Sequence, residues 1–237
     1  MLASQAAQDA IASNLANAST TGYKQDVPEF SSFANQLITR MDADGQVQTV
    51  GPMGHGATVS SIATDFSQGS IQQTGDPLDL AINGNGYLAV NSANGTMYTR
   101  NGELALSAQN TLQTSTGLTV AGADGKAIKI PAATAQIKID PQGRVTADGK
   151  TVGQLSLVSI TAANDPIKMG DSLFAANNPG AATGASVQQG YLETSNVSVV
   201  KEMVSMIAVQ RAYEADQKVV QAEDELTNHA VNDVPKV

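Results

Sequence analysis

Two carboxylates, Asp76 and Asp79, flank Pro77-Leu78. A close carboxylate pair is what glycoside hydrolysis needs, one group as acid and the other as base or nucleophile. Side chains three residues apart on a strand point to opposite faces, however, and Asp beside Pro caps turns through its own oxygens. Turn capping is therefore the expected role. Gly84-Asn85-Gly86, with Ala89 at the third glycine position, has the outline of a phosphate-binding fingerprint. That fingerprint must open a helix, whereas a strand-like run from Tyr87 to Val90 follows, and Asn-Gly is first a hairpin signal. The two histidines, His55 and His229, stand far apart without ligand-spaced neighbours, which suits neither a metal nor a general base. Ser67 and Ser70 lack the Gly-x-Ser-x-Gly elbow of a nucleophile. Met203 and Met206 read as packing residues. Cysteine is absent, so disulfides and Cys-based zinc sites are excluded. These residues predict no enzyme, no cofactor and no metal.

A chain of 237 residues holds one large or two small domains. Apolar residues make up 41% of it, aromatic ones only 4%, and the 21 glycines suit many turns. The net charge of −9 argues against nucleic acid, which wants a basic face, and against an acidic membrane surface. No apolar run reaches the ~20 residues of a membrane span. The N-terminus shows no basic region followed by an apolar one, so no cleaved secretory signal is visible. The chain is expected to be cytosolic or exported by a route that leaves no such signal.

The elements that must position these residues fall into three stretches. Ala3, Ala7, Ile11 and Leu15 recur at steps of four, with Leu2 and Ala10 widening the stripe; this predicts an amphipathic helix ended by Asn17, Ser19 and Gly22. The pattern is already running at Met1-Leu2, so an earlier start to the helix is expected. Phe30, Phe33, Leu37 and Ile38 suggest a short helix after Pro28, and Gly45, Gly51, Gly54 and Gly56 mark a linker. The middle is strand and turn: Leu78 to Ile82 and Tyr87 to Val90 around an Asn83-to-Gly86 hairpin turn, then Ala127 to Ile130, Gln136 to Ile139 and Gln154 to Ile160. Asn-Gly and Asp-Gly turns between them predict antiparallel pairing. The last stretch is one long helix, capped by Ser195, Asn196 or Ser198. Val199, Met206, Tyr213 and Val220 recur at steps of seven, and their companions Met203, Gln210, Gln217 and Asp224 turn polar along the helix. The expected organisation is an N-terminal helix and connecting segment at 1–35, a linker at 36–58, a central antiparallel β domain at 59–160, an extended return segment at 161–190 and a C-terminal helix at 191–237. The fold class is α+β, mainly β, with the terminal helices paired as a coiled-coil-like core domain. The first helix is too short to stand alone in water and needs the last helix or a neighbour.

Asn14-Leu15-Ala16-Asn17 followed by Thr20-Thr21-Gly22-Tyr23-Lys24 resembles the N-terminal signature of the axial proteins of the bacterial flagellum. Phe66 through Gly69, Pro77 through Ile82, Gly84-Asn85-Gly86-Tyr87 and Tyr98-Thr99-Arg100-Asn101-Gly102 resemble their rod and hook group. Ser195-Asn196-Val197, Glu202-Met203, Met206-Ile207 and Gln210-Arg211-Ala212-Tyr213-Glu214-Ala215 resemble their closing helix. The resemblance implies a structural subunit of the basal-body rod, of the proximal rather than the distal type. It implies self-assembly, partners among other rod, hook and ring components, torque transmission from motor to hook, type III export without a cleaved signal peptide, and a place outside the cytoplasmic membrane. It also implies a first helix that begins before Met1. Asn14, Asn17, Thr21, Gly22, Tyr23, Asn196 and Arg211 are the motif residues; Ile11, Leu15, Met203, Met206, Ile207 and Tyr213 are the expected assembly contacts, the side of Met203 and Ile207 meeting the first helix near Ile11 and Leu15. The rival readings are a distal rod or hook-type axial protein and, from another class, a secreted polymer-binding module or hydrolase.

Overall fold

Alanine and leucine favour helix at the N-terminus, and α1 spans Leu2–Ala16. The long C-terminal helix α2 spans Val199–Asp233. Ser198 stands at its N-cap position, its carbonyl accepting the Glu202 N–H at 3.0 Å. The computed structural model describes residues 2–32, 36–41, 47–53, 57–93, 95–132, 134–161, 164, 166–170 and 172–233.

After α1 the strands β1 (Asp26–Ser32), β2 (Gln36–Met41), β3 (Val47–Met53) and β4 (Ala57–Thr64) follow. They pair antiparallel as a ribbon, β1 with β4 and β2 with β3. This replaces the short helix expected around Phe30 and the linker expected at 36–58; Phe33, Gly45, Gly54, Gly56 and His55 lie outside the described residues. The cause is chemical. Val27, Thr58, Val59 and Ile62 are β-branched and gain more from a pleated ribbon than from a helix. Pro28 is tolerated because a two-stranded ribbon has an outer side that asks for no donor.

Sixteen further short strands are described: β5 (Ile71–Gln73), β6 (Leu80–Asn83), β7 (Tyr87–Ser92), β8 (Gly95–Thr99), β9 (Leu104–Leu106), β10 (Leu112–Thr114), β11 (Thr119–Val120), β12 (Ile137–Ile139), β13 (Arg144–Ala147), β14 (Lys150–Gln154), β15 (Leu157–Ser159), β16 (Ile167–Lys168), β17 (Leu173–Ala175), β18 (Gly180–Ala181), β19 (Ser186–Gln189) and β20 (Tyr191–Glu193). The largest sheet runs β16-β17-β8-β7-β11-β10-β9, with β15 on β7 and β18 on β15. Smaller sheets are β12-β13-β14, β19-β6 and β20-β5, and every pairing is antiparallel. The segment 161–190, expected as irregular, contributes β17 to the main sheet because Phe174 is fully buried there. Ala127 to Ile130 makes only isolated bridges, Ala121 with Ala127 and Thr111 with Lys129.

The Asn83-to-Gly86 turn joins β6 to β7, but the two strands do not pair; β6 pairs with β19, and β7 forms its hairpin with β8. The partners of the two strands come from elsewhere in the sequence, and Arg100 holds the turn between them. Its guanidinium donates to the carbonyls of Ile82 (3.1 Å) and Gly86 (3.2 Å), which flank the turn. The Asp76 carboxylate caps a turn as expected, its Oδ1 accepting the Leu78 N–H at 2.8 Å.

The chain divides into two compact units. The first comprises residues 1–15, 26–64 and 198–237, and the second residues 16–25 and 65–197. In the second unit β7 is buried on both faces: Leu88 and Val90 pack in a core with Leu80, Ile82, Leu112, Val120 and Val145, while Tyr87 and Ala89 pack with Tyr98 and Phe174. This explains its unbroken apolar run, where a half-exposed strand would alternate. Phe66 closes the second cluster, its ring centroid 5.5 Å from Phe174 and 6.3 Å from Tyr87.

Candidate functional site

Within the second unit, segments from the start, middle and end of the chain meet at one buried carboxylate. Glu193 accepts from Lys24 Nζ at 2.7 Å on Oε1 and from Arg100 Nε at 2.6 Å on Oε2. The Gly69 N–H donates to the same Oε1 at 2.9 Å. Lys24 also donates to the Ser67 carbonyl at 2.6 Å. Glu193 and Lys24 have no solvent exposure and Arg100 almost none. Such a cluster is tolerable only when every donor and acceptor is matched, and among the described residues no buried side-chain nitrogen or oxygen lacks a partner. Gly22 brings the N-terminal segment in. Its φ is +69°, its N–H donates to the Glu193 carbonyl at 2.8 Å, and a Cβ there would lie 2.5 Å from the Arg100 carbonyl carbon. Only glycine allows both the turn and the approach. Lys168 covers Tyr23, its Nζ 3.9 Å from the ring centroid and donating to the Lys24 carbonyl at 2.9 Å.

Burial shapes the titration of this cluster. Lys24 is held below the usual ammonium range, chiefly by desolvation, against the hydrogen bond and charge of Glu193; Arg100 adds to the lowering. The Tyr87 phenol, under Arg100 at 5.5 Å, is pushed up to about 12 by burial. These act oppositely on stability. With a folded pKa below its unfolded ~10.4, Lys24 binds its proton more tightly when unfolded, so stability rises as pH climbs through the folded value toward ~10.4. Tyr87, raised above its ordinary ~10, contributes stability that is complete below about pH 10 and is lost as pH rises through its folded value. The thermal midpoint should hold or rise up to about pH 10 and then fall, with Tyr87→Phe removing most of that fall. Melts followed by circular dichroism check this; a fall beginning below about pH 9 would contradict it.

Two asparagines of the motifs act as clamps, each within one unit. Asn196 Oδ1 accepts the Gln25 N–H at 2.8 Å, and its Nδ2 donates to the carbonyls of Asp65 and Ser67 and to Ser67 Oγ. It therefore does not cap α2, as one reading of the sequence expected, but ties three segments of chain together. In the first unit Asn14, buried at the end of α1, accepts the Asp26 N–H at 2.9 Å. It donates to the Asp26 carbonyl at 2.8 Å and to Glu202 Oε2 on α2 at 3.3 Å. Asn17 Oδ1 accepts from the Thr20 hydroxyl at 3.1 Å, closing the turn before Thr21 and Gly22.

The expected contact residues divide. Ile11 is buried with Ala7 and Ala10, whereas Leu15 is 36% exposed. On α2 the sheltered row is Glu202, Met206, Val209, Tyr213 and Asp216. Met206 and Tyr213 belong to it, but its second set is Glu202, Val209 and Asp216 in place of Met203, Gln210 and Gln217. Met203 and Ile207 are each 53% exposed and do not form the sheltered side of α2; Arg211 is exposed as well. Glu193, Lys24, Arg100 and Gly69 were not singled out as site residues. One signal was available, since Glu193 is the sole carboxylate between Asp171 and Glu202.

An open groove of about 550 Å³ lined by Gln73, Pro77, Gln136, Lys138, Gln189 and Tyr191 has no carboxylate among its described lining, and the described residues hold no group of three or more metal-ligating side chains. The buried cluster is likewise consumed by its own hydrogen bonds. The convergence of three motifs is thus architectural, and three family models match in the same places. Residues 1–24 match "Flagella basal body rod protein", residues 81–147 match "Flagellar hook protein FlgE/F/G D1 domain", and residues 188–232 match "Flagellar basal body rod FlgEFG protein C-terminal". The flagellar basal-body rod protein FlgG of Bacillus subtilis is 34% identical, over 94% of this chain and 92% of the relative. FlgF of Caulobacter vibrioides is 33% identical over 97% and 92%, and FlgG of the same species 34% over 95% and 93%. Relatives of both names match at 33–34% identity, so identity separates no subtype. Lys24, Arg100 and Glu193 lie one in or beside each matched region, and their single buried cluster is where the three matches become one structure: the chain belongs to the flagellar basal-body rod protein family.

Proposed function

We propose that this structural, non-enzymatic rod-family chain assembles through its terminal helices and, as part of the rod, carries torque from motor to hook outside the cytoplasmic membrane. The supporting observation is the apolar face that α2 leaves open: Val200 is 73% exposed and Val204 63%, beside Met203 and Ile207. An unpaired apolar stripe of this kind marks an interaction surface. Contacts between unlike patches of identical subunits do not close on themselves and build a helical shaft.

The two helices are proposed to pair antiparallel. Ala3, Ala7, Ala10 and Asn14 on α1 and Glu202, Met206, Val209, Tyr213 and Asp216 on α2 are the less exposed rows, both spaced by alternating steps of three and four, as in a coiled-coil seam. The Asn14–Glu202 hydrogen bond joins the end of α1 to the start of α2. At ~1.5 Å per residue α2 is more than twice as long as α1, and past Asp216 its described residues through His229 are exposed, Val219, Val220 and Leu226 among them. This upper part is proposed to meet other rod subunits and neighbouring hook or ring components. Purified basal bodies from a host making a tagged full-length chain should retain the tag after detergent and salt extraction. Recovery of the tag only in soluble fractions, in motile cells that depend on the tagged copy, would overturn the proposal.

A further inference from the structure

We infer that Glu193 sets the register of the C-terminal strand, acting as the single counter-charge that two buried cations accept from that strand. The β5–β20 ladder is three residues long, with Tyr191 opposite Gln73, Leu192 opposite Gln72 and Glu193 opposite Ile71. Short, polar, glycine-flanked strands specify register weakly. Here β5 carries two glutamines and β20 follows directly on Gly190. The backbone bonds at the ladder's ends, Thr74 N–H to the Gly190 carbonyl and Thr194 N–H to the Ser70 carbonyl, use groups that every residue offers. Bonds of this kind can also form in a register displaced by two residues, which keeps the same side chains on the same faces.

The carboxylate breaks that degeneracy. A displacement by two would bring Tyr191 or Ser195 to the place of Glu193; a displacement by one would bring Leu192 or Thr194. None can neutralise Lys24 and Arg100, which are buried and take no other carboxylate among their hydrogen-bond partners. With Glu193 displaced, Arg100 keeps no carboxylate partner and Lys24 only the weaker charge of Asp65, and two buried cations so poorly matched are far costlier than the matched triad. The alignment is thus specified by charge across 169 residues of sequence, a polar group fixing register as one buried polar residue does in a coiled coil. A subunit repeated many times in one assembly needs one register in every copy.

The absence of cysteine makes register directly readable in the full-length chain. Gln72→Cys with Leu192→Cys places thiols directly opposite and reports the native alignment. Gln72→Cys with Thr194→Cys reports the alignment displaced by two, because diagonal neighbours stand too far apart for a disulfide in the native one. The parent should form the first bond and not the second under mild oxidation. Glu193→Gln should lose the first bond in most molecules. The variant Lys24→Met/Arg100→Leu/Glu193→Leu, with no charge left unpaired, should fold and form both, the displaced-to-native ratio rising roughly tenfold, as ~1.4 kcal/mol of lost preference requires. Native-only crosslinking at parental yield in either background would mean that the ladder and Asn196 suffice, and would overturn the inference.

Discussion

Gly102→Ala is expected to cost more than about 4 kcal/mol, a large share of the stability of an ordinary domain. A Cβ on Gly102 would lie 1.7 Å from the Leu80 carbonyl oxygen and 2.7 Å from its carbon. The obstacle is backbone, so no side chain can swing aside. Nor can the two chains part cheaply. The Leu80 N–H donates to the Gly102 carbonyl at 2.9 Å, Leu80 is fully buried in the main core, and β6 is held from its other side by β19. Two residues upstream, Arg100 carries the charge cluster, so a displaced Gly102 would disturb both. Gly180→Ala is the matched control: open space surrounds that position and its φ is ordinary, so a change within about 0.5 kcal/mol is expected. Chemical denaturation of the two variants beside the parent checks this; equal midpoints would contradict the close packing of Gly102 on β6.

What was legible in the sequence follows from how local each signal is. The helices were legible because their periodicity repeats over several turns, and Met206 and Tyr213 fell on the sheltered row. The companion row was misread because Glu202 and Asp216 are charged, and a charge on a seam reads as surface until Asn14 is seen bonded to Glu202. The ribbon of β1 to β4 was missed because Phe30, Leu37 and Ile38 also fit helical steps, while the partners that decide the matter stand up to 38 residues away, as Asp26 and Thr64 do. The Asn83-to-Gly86 segment turns as its residues predict but closes no hairpin, because β6 finds its partner in β19, about a hundred residues on, and no local signal announces that pairing. Glu193 carried little local signal at all. Its meaning depends on Lys24 and Arg100, and no spacing rule links residues so far apart. The motifs themselves are legible in the sequence, but their reason is not: at Gly22, Gly69 and Arg100 backbones and charges meet in three dimensions.

The second large effect concerns assembly and leaves the fold alone. Ile207 is more than half exposed on α2, with Met203 one turn before it and Val200 and Val204 beside it. In the isolated chain Ile207→Asp should therefore change stability by no more than about 1 kcal/mol, the range of exposed helix substitutions. In a rod, the same carboxylate would be driven into an apolar contact at every copy, costing on the order of several kcal/mol each time if fully buried. The most direct measurement is a swimming assay of a strain whose only copy is the Ile207→Asp chain, beside circular dichroism of the purified variant and its cellular level. The account predicts a parental spectrum, a normal level and no motility. Normal swimming at a normal level would mean that this face of α2 carries no assembly contact and would contradict the mechanism proposed for the rod.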